Sequence, residues 1–122
     1  MHMLELMDGK PVISYTTGEI VMKQGDKTGK LFVLKTGAVE VVKNGSIIST
    51  VTETGAVFGE LAALLDIYHT ATVRAVEDST LYVVDDAEDF LRSNPEVTFE
   101  VARKVALRFV EMQSFLFTHL TI

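Results

Sequence analysis

From Val12 to Thr52 the apolar residues fall in short runs, each closed by a glycine turn. Val12-Ile13-Ser14-Tyr15 runs into Thr17-Gly18, Ile20-Val21-Met22-Lys23 into Gln24-Gly25-Asp26, and Leu31-Phe32-Val33-Leu34 into Thr36-Gly37. Val39-Glu40-Val41-Val42-Lys43 meets Asn44-Gly45, a hairpin signal because both central residues must tolerate positive φ. Ile47 to Val51 then returns. Two further runs, Thr70 to Val76 and Thr80 to Val84, flank the acidic turn Glu77-Asp78-Ser79. Strands this short, at such regular spacing, predict a β-sandwich, roll or barrel.

Past Val84 the period changes. Asp85-Asp86 offers an N-cap for a helix through Arg92, and Asn94-Pro95 restarts a second helix at its first turn. Val97, Val101, Val105, Phe109, Met112 and Leu116 recur at spacings of three and four, an apolar helical stripe. Glu100, Arg103, Lys104, Arg108 and Glu111 occupy the other faces. Towards the end the polar face thins, as Phe109, Val110, Met112, Phe115, Leu116, Phe117 and Leu120 surround the helix. A helix that is apolar all round needs a cover. Packing on the domain's own roll is one cover; a dimer seam or a junction to a further domain is the other.

Between the two groups of strands stands Phe58-Gly59-Glu60-Leu61-Ala62-Ala63-Leu64, followed by His69-Thr70-Ala71-Thr72-Val73-Arg74-Ala75. A glycine and a glutamate open a short apolar helix straight after a β-like run, and a small, hydroxyl-rich strand folds back over it. Free N–H groups at a helix start attract anions, and glycine lets a phosphate come close. These two stretches, with turns at Gly18, Gly25-Asp26, Gly37 and Gly59, resemble the phosphate-binding cassette and roll of the cyclic nucleotide-binding domain family. The resemblance covers nearly the whole chain, about residues 12–120.

That resemblance implies a mainly β fold with flanking helices: a double-stranded β-helix of jelly-roll type over 12–84, a cassette over 58–75, and C-terminal helices over 86–120. The whole of 1–122 is expected to be one such domain. It further implies a site made of Phe58, Gly59, Glu60, Leu61, Ala62, His69, Thr70, Ala71 and Thr72. Glu60 would accept a hydrogen bond from the ribose 2′-hydroxyl, as an ionised carboxylate only accepts. Gly59, Leu61 and Ala62 would present backbone N–H groups to the phosphate, while Ala71 and Thr72 are small enough to let the ligand approach. Thr70 stands where, in some members, threonine accompanies a preference for the guanine nucleotide. Arg74 lies outside the phosphate contact and is expected to be a structural strand residue.

His69 departs from the pattern, because the family places its phosphate-pairing arginine there. Arginine supplies a permanently charged fork of donors, whereas histidine is shorter and only partly cationic near neutral pH. Losing a charge-assisted contact to a buried phosphate costs on the order of 2–5 kcal/mol. A bound phosphate would favour the cationic ring, and hence binding at lower pH. Asp66 and Tyr68 depart from the glycine and proline of many relatives; Asp66 brings negative charge near the anion site, and Tyr68 is expected to fill part of it.

Composition narrows the function classes. The chain has 122 residues, 48 % hydrophobic and 23 % charged, which suits one globular domain. Its 11 Lys and Arg against 17 Asp and Glu give a net charge of −6, which argues against direct contact with nucleic acid or an anionic membrane. It has no cysteine, so disulfides and thiol catalysis are excluded. His2, His69 and His119 are too scattered for a metal cluster, and no nucleophile or nucleotide-loop motif suggests an enzyme. Met1-His2-Met3 carries no weight in this reading. The absence of a transmembrane run or signal peptide leads to the expectation of a cytoplasmic domain without membrane contact. The expected function is a regulatory sensor of cAMP or cGMP, needing no cofactor beyond that ligand and acting on a partner or fused output domain. The rival expectation is a non-binding domain that dimerises through the helix over 96–120.

Overall fold

The computed structural model describes residues 3–120; the side chains of 115 and 117–120 lie outside the description, and with them the expectations for Phe115, Phe117, His119 and Leu120, as does His2. In chain order the elements are α1 (Met3–Leu6), β1 (Val12–Tyr15), β2 (Ile20–Met22), β3 (Leu31–Thr36), β4 (Val39–Lys43), β5 (Ser46–Val51), β6 (Val57–Phe58), α2 (Glu60–Leu65), β7 (Thr72–Ala75), β8 (Ser79–Val84), α3 (Ala87–Ser93) and α4 (Pro95–Leu120). Two antiparallel four-stranded sheets, ordered β1-β8-β3-β6 and β2-β7-β4-β5, form the jelly roll.

Side chains alternate across a strand, so a strand buried on both faces must be apolar throughout. Strand β3 meets that condition, since Leu31, Phe32, Val33 and Leu34 are all buried. Phe32 and Leu34 point into the roll, against Val39, Val73, Leu81 and Val83. Leu31 and Val33 point the other way, against Tyr82, Val84, Ala87, Phe90, Leu91, Val97 and Val101. Thus the helices are fixed to the outer face of one sheet, while the roll has its own core. Met3 and Met7 also enter the helix-side core, Met7 with no exposure at all. This corrects the reading that gave Met3 no weight: a four-residue helix has no periodicity to detect, and methionine fills irregular gaps.

The β4–β5 hairpin turns at Asn44-Gly45, both with positive φ, as the sequence predicts. At the opposite end of β4 the chain turns through Gly37, at φ +97°, where a Cβ would stand 2.2 Å from Ser79 Oγ and 2.6 Å from the Asp78 carbonyl oxygen. Ser79 is buried and fully engaged there. Its hydroxyl accepts from the Ala38 N–H at 3.0 Å and lies 2.8 Å from the Glu77 carbonyl, to which it donates.

Asp86 caps α3, its Oδ1 accepting from the Asp89 N–H at 3.1 Å. Pro95 starts α4, where its missing N–H costs nothing. Val97 and Val101 are buried, and Val105 packs on their edge. Beyond Val105 the helix leaves the core: Leu107, Phe109, Val110, Met112 and Leu116 are exposed. The thinning of the polar face therefore coincides with the point where the helix loses cover from its own roll. No helix among the described residues is long and apolar enough to cross a membrane.

Candidate functional site

Strand β6 delivers the chain into α2 through Gly59, which sits in the left-handed region at φ 89° and offers no side-chain cap. A Cβ at this residue would lie 2.6 Å from the Lys30 carbonyl oxygen and 3.4 Å from His69 Cε1. Packing alone therefore demands glycine here, whatever else the glycine does. The helix closes at Asp66, also left-handed, whose N–H returns to the Ala62 carbonyl. Asp66 pairs with Lys27 at 3.2 Å across exposed surface, so its charge is balanced locally.

Glu60, the first residue of α2, is only 3 % exposed. Its carboxylate is paired with the Arg108 guanidinium on α4, which is itself more than half exposed. A buried carboxylate needs such a partner, and the pair joins the cassette to the last helix. Nothing in the local sequence marks Arg108 for this role, because the two residues are 48 positions apart and share no periodic pattern.

His69 is 1 % exposed. Its N–H donates to the Asp26 carbonyl at 2.8 Å and its carbonyl accepts from the Gly25 N–H at 2.9 Å, so two backbone bonds stitch it to the turn after β2. Those bonds turn the ring inward, where Nε2 meets Thr28 Oγ1 at 2.7 Å. Among the described residues Nδ1, also buried, has no partner. The less costly tautomer carries its proton on Nε2 and donates it to Thr28, leaving Nδ1 as a bare acceptor. Burial pushes the imidazole below its ordinary value, and the Asp26 carboxylate opposes that shift only in part. Leaving such a group unmatched costs about 1–3 kcal/mol. Tyr68, by contrast, is 58 % exposed. Against the expectation that Tyr68 fills part of the site, the ring that faces inward beside Gly59 is His69, held by its two backbone bonds to Gly25 and Asp26.

The remaining expected residues fall into two groups. Phe58, Ala62 and Ala71 are buried beside Gly59, Glu60 and His69, whereas Leu61 is exposed and Thr70 and Thr72 are half-buried. Thr72 has a structural use, accepting the Gln24 N–H on its hydroxyl at 2.9 Å. Gln24 in turn holds Asn44 of the β4–β5 hairpin through two bonds, at 2.8 and 3.0 Å. Arg74 pairs with Glu40, its neighbour across β4 and β7, and stands apart from the cassette. Among the described residues no group of three His, Asp or Glu is placed to hold a metal. The cassette is thus a compact junction in which one carboxylate and one neutral imidazole are buried beneath a short helix, and two distant elements hold them there.

The profile of the cyclic nucleotide-binding domain family matches residues 12–93. A cAMP-dependent protein kinase regulatory subunit of Schizosaccharomyces pombe is 31 % identical over 100 residues, covering 75 % of this chain and 24 % of the relative. A cGMP-dependent protein kinase of Drosophila melanogaster is 33 % identical over 82 residues, covering 66 % of this chain and 7 % of the relative. The chain therefore spans a quarter or less of those two proteins. The crystal structure of the Thermus thermophilus catabolite activator protein shares the fold, with a TM-score of 0.77 at 24 % identity over 93 % of this chain and 57 % of that one. With most of its length matched, and with the roll and closing helices that the resemblance implied, the chain belongs to the cyclic nucleotide-binding domain family.

Proposed function

We propose that this regulatory domain binds a cyclic nucleotide, cAMP or cGMP, in the cassette and passes the event to a partner or output domain through α4. The observation that carries this reading is the Glu60–Arg108 pair. The residue assigned to the ribose hydroxyl is already the residue that holds the last helix. A nucleotide hydroxyl donating to Glu60 competes with, or reorders, the Arg108 contact, so occupancy of the cassette and the position of α4 are linked. Such linkage transmits only the difference in affinity between the two arrangements. The phosphate would meet the N–H groups of Gly59, Leu61 and Ala62, and the base would lie towards α4, with Thr70 nearby. The His69 ring lies beside Gly59, so a phosphate held there would meet it.

The same burial of His69, together with the exposed apolar turns of α4, favours a second reading in which the domain dimerises through residues 96–120 without a nucleotide. Titration calorimetry with both nucleotides separates the two. Binding of either one, tightened about tenfold or more by His69→Arg, supports the sensor. Absence of heat at roughly millimolar ligand for both proteins, with a dimer by light scattering, supports the second reading.

A further inference from the structure

We propose that His69 is a proton-operated latch that holds the cassette shut while its ring is neutral and releases it when the ring gains a proton. The site tolerates the neutral ring better than the cation: Nε2–H has Thr28, and Nδ1 leaves only a lone pair unmatched. Protonation puts a second N–H on Nδ1, buried, charged and with no acceptor among the described residues. Solvent offers an acceptor for that N–H, and the ring gains it by swinging out from beside Gly59. That movement opens the space beside Gly59 and carries a cation to the rim of the cassette. The latch is therefore a device of position as well as charge.

The charged groups around the ring do not rescue the buried cation. From the turn after β2, Asp26 attracts it but does not outweigh burial. Lys27 and Lys30 of the same segment pair with Asp66 and Asp85. From α2, Glu60 is held by Arg108, and from β7, Arg74 is held by Glu40. The direction follows from the burial of the neutral ring. A histidine that protonates less readily folded than unfolded contributes stability that is fully present above about pH 6.5 and is lost as the pH falls below it. Use of the latch to admit a nucleotide rests on the sensor reading above, but the latch itself does not.

The test follows the protein alone, by NMR titration of its histidine rings and by amide hydrogen exchange of residues 59–72. His69 is expected to titrate below about pH 6.5. Over that titration, cassette exchange is expected to rise about tenfold beyond its chemical pH dependence. His69→Gln keeps a donor for Thr28 without a titration, and its cassette exchange is expected to stay flat. Should that variant fail to fold, Thr28→Val takes its place, with faster cassette exchange at neutral pH because Nε2–H loses its acceptor. An ordinary or elevated titration of His69, pH-independent exchange, or an equal acid response in His69→Gln overturns the latch. So does unchanged cassette exchange in Thr28→Val. Adding cAMP and cGMP at about pH 5.5 and 7.5 then reads the ligand separately: no binding at either pH refutes the sensor reading, while exchange alone decides the latch.

Discussion

At Gly37 and at Gly59 the chain turns with positive φ, and in both places another segment passes where a side chain would stand. Each glycine abuts a buried polar residue from a distant strand or loop, Ser79 at the first corner and His69 at the second. The corners differ in how those residues are satisfied. Ser79 both accepts and donates within its corner, so every demand of the hydroxyl is met. His69 has one nitrogen engaged and one idle, and the carboxylate next to Gly59 relies on an arginine that is mostly in water. A finished polar corner keeps a roll in one shape, whereas an unfinished one leaves a second arrangement within reach.

The contrast can be broken by substitution, and the largest effect is expected at the finished corner. Gly37→Ala meets both a hydroxyl and main chain at under 3 Å while strained in φ, and should destabilise the fold by about 2–5 kcal/mol in urea unfolding. Gly59→Ala meets one carbonyl and a ring that can move, so its loss should be smaller, roughly 1–3 kcal/mol. An equal or larger loss at Gly59 would mean that the cassette is as rigid as the roll. Ser79→Ala leaves the Ala38 N–H unpaired and should cost about 1–3 kcal/mol. Arg108→Ala comes last. Its guanidinium is half exposed, which weakens the pair, but the buried Glu60 carboxylate is left without its partner, so the loss should be about 1–2 kcal/mol, with faster amide exchange in α2 and in the later turns of α4.

Much of the roll was legible because its signals are local. Glycine turns, the Asn44-Gly45 hairpin and the fully apolar β3 each follow from a few adjacent residues. The switch to helical spacing and the Asp86 cap are local too. Helix α1 was not legible, being too short to show a period. In the cassette, residue identities were readable, but the arrangement that gives them meaning was not. Glu60 with Arg108, and His69 with Thr28, join positions more than 40 residues apart. The inward face of His69 over Tyr68 depends on two backbone bonds to Gly25 and Asp26 that no alternation rule specifies.

The place where α4 leaves the core has a mechanical corollary. Arg108 grips the helix less than one turn past Val105, close to the fulcrum, while Leu116 stands some 16 Å further along the axis from Val105 at about 1.5 Å per residue. A tilt of about 10° at that fulcrum, small enough to come from one rearranged guanidinium, sweeps the outer turns through about 3 Å, because displacement grows with arm length. The helix thus has the proportions of an amplifier, driven where Arg108 meets the cassette and exposed from Leu107 to Met112 and at Leu116 for whatever it pushes against.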